Sequence, residues 1–128
     1  TDDGFEFLGY RFENGKRYPR TKSLEKLKDT IRAKTKRTSG QCLRAIIGSL
    51  NPTLRGWFEY FKHGDRWTLT RLDQWIRMRL RSLLRKRLGL KGRGRGADHH
   101  RWPNAFFAKQ GLYSLKTAHE WACQSSLR

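Results

Sequence analysis

A chain of 128 residues is one ordinary domain in length, and its 29 Lys and Arg against 11 Asp and Glu leave a formal net charge of +18. Such an excess weakens a compact fold by self-repulsion unless a polyanion screens it, so nucleic acid is the expected partner. No apolar run is long enough to span a bilayer, and membrane-bound basic helices carry a wide apolar face, which argues against a lipid partner.

The chain starts at Thr1 without an initiator, signal or targeting pattern, and its one Met is Met78, as expected of a piece cut from a longer protein. Phe5 to Phe12 alternates aromatic with other residues, and Asn14-Gly15 followed by Arg17-Tyr18-Pro19 is the pattern of a β-hairpin over residues 1–20. Ser23 is placed to cap a helix running to about Arg37, with Leu24, Leu27 and Ile31 on one face. Leu43, Ile46, Ile47 and Leu50 mark a second helix. Asn51-Pro52 reads as a restart, because Asn caps and Pro is welcome at a first helical position. The restarted helix carries Leu54, Trp57, Phe58 and Phe61 and stops at His63-Gly64. Gly56 suggests a close helix contact there.

A long helix is expected from about Thr68 to Leu88, ended by Gly89, with Leu69, Leu72, Ile76, Leu80 and Leu83 as its apolar stripe. The rest of it is crowded with Arg71, Arg77, Arg79, Arg81, Arg85, Lys86 and Arg87. Like charges at i,i+4, as at Arg77, Arg81 and Arg85, repel, so the pattern makes sense if phosphates supply the counter-charge. Residues 21–90 thus form a helical domain, and 91–128 a basic loop with short C-terminal helices. Glycine alternation around Lys91, Arg93 and Arg95 prevents regular structure and leaves those cations free for a phosphate backbone. Trp102-Pro103 opens a helix to about Lys109, Gly111 ends it, and Ser114 caps a last helix carrying Leu115, Ala118, Trp121 and Ala122. The fold class is mainly α, with an N-terminal hairpin, a three-helix bundle and short C-terminal helices.

The candidate chemistry is binding. Cys42 and Cys123 stand apart from each other and from any CxxC pattern, and read as small buried hydrophobes in a reducing compartment. Asp98-His99-His100 sits beside the Gly-Arg run without the i,i+4 spacing of a helical metal site, so no metal or catalytic residue is expected. Trp57, Phe58 and Phe61 have the helical spacing of core residues; the competing reading is a stacking platform for bases. Arg55 is either an ion-pair partner for Glu59 or an RNA contact. The RNA-binding residues expected are Arg55, Arg71, Arg77, Arg81, Arg85, Lys86, Arg87, Lys91, Arg93 and Arg95. The alternative, a transposase-like or helix-turn-helix DNA-binding module, needs a recognition helix with polar residues aimed at base edges, and the uniform arginine here suits backbones instead.

Three blocks carry a family resemblance. Phe7-Leu8-Gly9-Tyr10 resembles the strand where the palm of a reverse transcriptase meets its thumb. The block from Leu50 to Phe61, LNPTLRGWFEYF, resembles the signature of the group II intron maturase-specific domain, and Trp102 to Ala108 with Gly111 to Leu115 resembles the C-terminal end of bacterial members. The resemblance implies a thumb and maturase region that follows the palm, binds template-primer duplex and intron RNA, and supports splicing and reverse transcription in the bacterial cytoplasm. It further implies that magnesium and the paired polymerase aspartates belong to a palm outside this chain, since no YADD-type block or CxxC-bearing nuclease tail occurs. No cofactor and no enzymatic activity are expected of the chain itself.

Overall fold

The computed structural model describes residues 5–7, 10–13, 16–19, 21–62, 64–92 and 96–126, the first three stretches as backbone only. These three are short antiparallel strands, β1 (Phe5–Phe7), β2 (Tyr10–Glu13) and β3 (Lys16–Pro19), paired in chain order with Phe7 opposite Tyr10 and Glu13 opposite Lys16. The Asn14-Gly15 turn expected between them lies outside the described residues. The remainder is helical: α1 (Thr21–Lys34), α2 (Leu43–Phe61), α3 (Arg66–Arg87), α4 (Gly96–Arg101), α5 (Asn104–Lys109) and α6 (Leu115–Ser126). The chain is mainly α, as its periodicity implies.

The three apolar stripes meet. Leu27 and Ile31 of α1, Ile46 to Phe61 of α2 and Leu69 to Leu83 of α3 form one core, closed by Phe107 of α5 and Leu115 of α6. Pro52 does not restart a helix; it lies inside α2. A proline there forgoes the hydrogen bond to the carbonyl of Gly48 and crowds it, at a cost of about 3 kcal/mol. The helix continues because Leu50, Leu54, Phe58 and Phe61 are all buried by one unbroken stripe. Each contributes about 1.5–3 kcal/mol, which outweighs the local loss. Asn51 caps nothing in α2. Its amide reaches across the fold, donating to the carbonyl of Gly111 at 2.8 Å and accepting from the amide of Tyr113 at 2.9 Å.

Other boundaries differ for local reasons. α1 begins at Thr21, so Ser23 lies within its first turn and its hydroxyl meets that of Tyr60 at 3.4 Å. It ends at Lys34, short of Arg37, where the hydroxyl of Thr35 bonds back to the carbonyl of Ile31 at 2.7 Å. The cap of α3 is Asp65, whose carboxylate accepts from the amide of Thr68. At its other end Gly89 adopts φ +79°, and amides of Gly89 and Leu90 return to the carbonyls of Lys86 and Arg85, a Schellman closure that requires the left-handed residue. Gly56 is exposed, with open space where a Cβ would stand, so it holds no helices together. Both cysteines are exposed, not buried. On α6 the packed stripe is Leu115, Ala118 and Ala122, and Trp121 beside it is 64 % exposed.

Candidate nucleic-acid interface

α3 lies at the centre of the bundle, and its polar residues fall into two lines of i,i+4 spacing. One runs Asp73, Arg77, Arg81, Arg85. The other runs Trp67, Arg71, Trp75, Arg79. The two are offset by two residues, about 200° around a helix of 3.6 residues per turn, so they face opposite ways.

The first line faces the C-terminal helices and is largely closed. Asp73 is 4 % exposed and caps α6 from outside that helix: its carboxylate accepts from the amides of Leu115 and Lys116, each at 3.0 Å, and from the Ser114 hydroxyl at 2.9 Å. Ser114 in turn accepts from the amide of Thr117, the cap its sequence position implied. Arg81 is buried over the Phe107 ring, donating to the carbonyl of Trp102 and the side chain of Asn104, both at 2.9 Å. Burial, then repulsion from Arg77, lowers the pKa of Arg81, and Asp98 opposes the shift. Arg85 is buried against Asp98 at 3.1 Å and donates to the carbonyl of Lys91 at 2.6 Å. Arg77 is half-buried, its pKa lowered by burial against the pull of Asp73. The open arginine face expected at 77, 81 and 85 is therefore not there. Arg81 and Arg85 fix the short helices to α3, and the counter-charge for Arg85 is a carboxylate of the chain itself. That carboxylate, Asp98, lies on α4, a helix formed where sequence periodicity offered none, and leaves His99 and His100 exposed beside it.

The second line is open and faces α1. The Trp75 ring is surrounded by cations: Lys28 Nζ at 5.5 Å, Arg32 at 5.3 Å and Arg79 at 5.6 Å from its centroid. Arg71 lies 5.7 Å over the Trp67 ring, which is itself 63 % exposed. Trp75 borders two cavities that together make a trough between α1 and α3. One, about 380 Å³, is lined by Lys28, Trp67 and Arg71; the other, about 320 Å³, by Arg32, Thr35, Arg37 and Arg79. Among the described residues, no Asp or Glu lines either cavity. Arg79 is held in place: its Nε donates to the Thr35 hydroxyl at 2.7 Å and Nη2 to the Thr35 carbonyl at 3.4 Å. Burial, followed by repulsion from Arg32 and Arg37, lowers its pKa; the acid Asp29 lies outside the cavity lining and pairs with Arg32 at 2.9 Å.

The other expected positions divide. Arg55 is exposed and sits 5.6 Å over the Tyr113 ring, while Glu59 pairs with Lys62. Lys86 and Lys91 are exposed. Arg87 is exposed but donates to the carbonyls of Ser39 and Gln41, tying the loop between α1 and α2 to the end of α3. Arg93 and Arg95 lie outside the described residues. Trp57 packs on the core edge against Phe61 at 5.0 Å between centroids, in line with its spacing. Residues that sequence reading did not assign to binding but that line the trough are Lys28, Arg32, Arg37, Trp67, Trp75 and Arg79. The signal available was the Trp-Arg-Trp-Arg recurrence every fourth residue from Trp67 to Arg79. Among the described residues, no group of three His, Cys, Asp or Glu is placed to hold a metal ion, and no helix is long and apolar enough to cross a membrane.

The family model for the group II intron maturase-specific domain matches residues 24–102, well over half of the chain. The chain belongs to that family. The matched stretch contains all but the first three residues of α1 and the whole of α2, α3 and α4, so both walls of the trough and the buried arginine line lie within the maturase-specific domain. No curated protein sequence matches the chain.

Proposed function

We propose that this maturase-specific domain is the RNA-binding thumb and maturase region of a group II intron-encoded reverse transcriptase. It holds intron RNA and template-primer duplex in the bacterial cytoplasm and leaves polymerase chemistry to a palm in the same protein. The observation that carries the reading is the trough between α1 and α3, where Lys28, Arg32, Arg37, Arg71 and Arg79 gather around two tryptophans with no acid among the lining residues. Arg32 pairs with Asp29 at 2.9 Å, one carboxylate for five converging cations, and the remaining excess costs stability unless a polyanion supplies the missing charge. Arg55, Lys86 and Lys91 extend the basic surface beyond the trough, and Arg81 and Arg85 serve the scaffold.

The test is titration of a structured intron RNA at several salt concentrations. Neutralising about eight phosphates gives a log–log slope near −6 to −7, or a drop of about 10³–10⁴ in affinity between about 50 and 200 mM salt. A flat salt response, or no binding at the lower salt, refutes the reading.

A further inference from the structure

The two tryptophans of the trough look equivalent in the sequence, four residues to either side of Arg71, but their surroundings differ. Trp75 has three cations within 6 Å of its ring centre, so its π surface is already engaged. Among the described residues, Arg71 is the one cation over the Trp67 ring, which keeps 63 % of its surface open. An aromatic side chain buries a large area when it packs, and Trp67 forgoes that gain at the mouth of a cation-lined groove. About 18 Å further along α3, by the helical rise of twelve residues, Arg32, Arg37 and Arg79 converge on a cavity of about 320 Å³. The orientation of Arg79 is set by its two bonds to Thr35, and Arg32 is held by Asp29 at 2.9 Å. The volume suits a phosphate group.

Resting on the RNA-binding reading above, we infer that the trough takes unpaired RNA. A base stacks on Trp67, the backbone passes Arg71 and Lys28, and a phosphate further along the strand sits among Arg32, Arg37 and Arg79. A base in the middle of a duplex has both faces covered by its neighbours, so it cannot use Trp67. The arginine cluster gains from a phosphate because Arg32 and Arg37 both repel Arg79 and the single carboxylate of Asp29 reaches only Arg32, whereas a phosphate offers oxygens to more than one guanidinium.

The experiment compares a short single-stranded RNA with a blunt RNA duplex of the same length, titrated against the 128-residue chain and two variants, Trp67→Ala and Arg32→Gln/Arg37→Gln. All altered side chains are exposed, and a thermal melt of each variant confirms the fold. Trp67→Ala is expected to weaken single-strand binding by about 5- to 150-fold, the range for removal of one stacked base, and to leave duplex binding within about twofold. A single strand whose bases are replaced by abasic nucleotides is expected to bind wild type no better than it binds Trp67→Ala. The double Gln variant should lower the single-strand salt slope by about 0.7, the value for one phosphate no longer neutralised. If both variants bind the single strand as wild type does, the inference is overturned while RNA binding stands. The same holds if Trp67→Ala weakens single strand and duplex equally. If wild type binds neither RNA, the function proposed above falls with it. If Trp67→Ala leaves RNA binding intact but releases a second protein segment, the open indole is a protein-docking surface and the stacking role is refuted.

Discussion

Asp98→Asn tests the division of α3 into a closed and an open line. The carboxylate is 0 % exposed, accepts from Arg85 Nη1 at 3.1 and 3.4 Å, and lies 3.7 Å from Arg101. Asparagine preserves the shape and removes the charge. The Arg85 side chain, 10 % exposed, keeps its bond to the Lys91 carbonyl but is left as a buried cation without its counter-charge. Breaking a buried pair from one side costs about 3–5 kcal/mol. A domain holds about 5–15 kcal/mol in all, and a chain of this size loses about 4 °C in Tm per kcal/mol, so the midpoint should fall by about 12–20 °C. The assay is a thermal melt by far-UV circular dichroism on wild type, Asp98→Asn, and Asp98→Asn/Arg85→Met. The double variant removes both charges and is expected to recover most of the stability, because an apolar pair of similar volume is about neutral in such a site. If Asp98→Asn melts within about 2 °C of wild type, the pair carries no such energy. If Arg85→Gln then also weakens RNA binding, Arg85 is a surface cation and the division of α3 is wrong.

Three further outcomes are expected. Gly64→Ala puts a Cβ within 2.2–2.6 Å of ring atoms of Phe61, which is 0 % exposed and cannot give way, so the urea midpoint should drop by the equivalent of about 1–3 kcal/mol. Asp73→Ala removes the acceptor of two α6 amides and the Ser114 hydroxyl. Removing the cap costs about 0.5–2 kcal/mol, and hydrogen exchange should quicken in α6 well before it does in α2. Burial first, and Glu59 second, raise the Tyr113 pKa above the ordinary 10.0, with Arg55 opposing. The folded chain therefore holds that proton more tightly than the unfolded one: this contribution to stability is intact below pH 10.0 and is lost as pH rises through the raised value. Tyr113→Phe should flatten the alkaline decline measured by melts at stepped pH.

The apolar core was legible because Leu27 and Ile31, Ile46 to Phe61 and Leu69 to Leu83 recur at helical spacing, and burial follows that spacing directly. Pro52 misled because its local preference for a helix start competes with a stripe that runs through it, and the longer pattern wins. The arginines of α3 could not be sorted by period alone. Arg81 and Arg85 repeat every fourth residue just as Arg71 and Arg79 fall on a fourfold line, and only the placement of Asp98 and Phe107, more than ten residues away in sequence, decides which are enclosed. Cys42 and Cys123 were misread from a composition trend that says little about two individual residues. The trough was half visible: the Trp67 to Arg79 recurrence is a sequence fact, but the convergence of Arg32 and Arg37 on it depends on how α1 lies against α3.

The two exposed thiols have a practical consequence. Cys42 precedes α2, Cys123 sits on α6, and the chain has no third cysteine. Left in air, accessible sulfhydryls cross-link one molecule to another, so preparations kept without reductant will accumulate covalent dimers unrelated to any natural assembly. Under reductant the same pair becomes an asset. Spin labels or a donor and acceptor dye, attached to the unaltered sequence, form a molecular ruler between the start of α2 and the last helix. It reports, without any engineered residue, whether α6 stays seated when RNA fills the opposite side of α3.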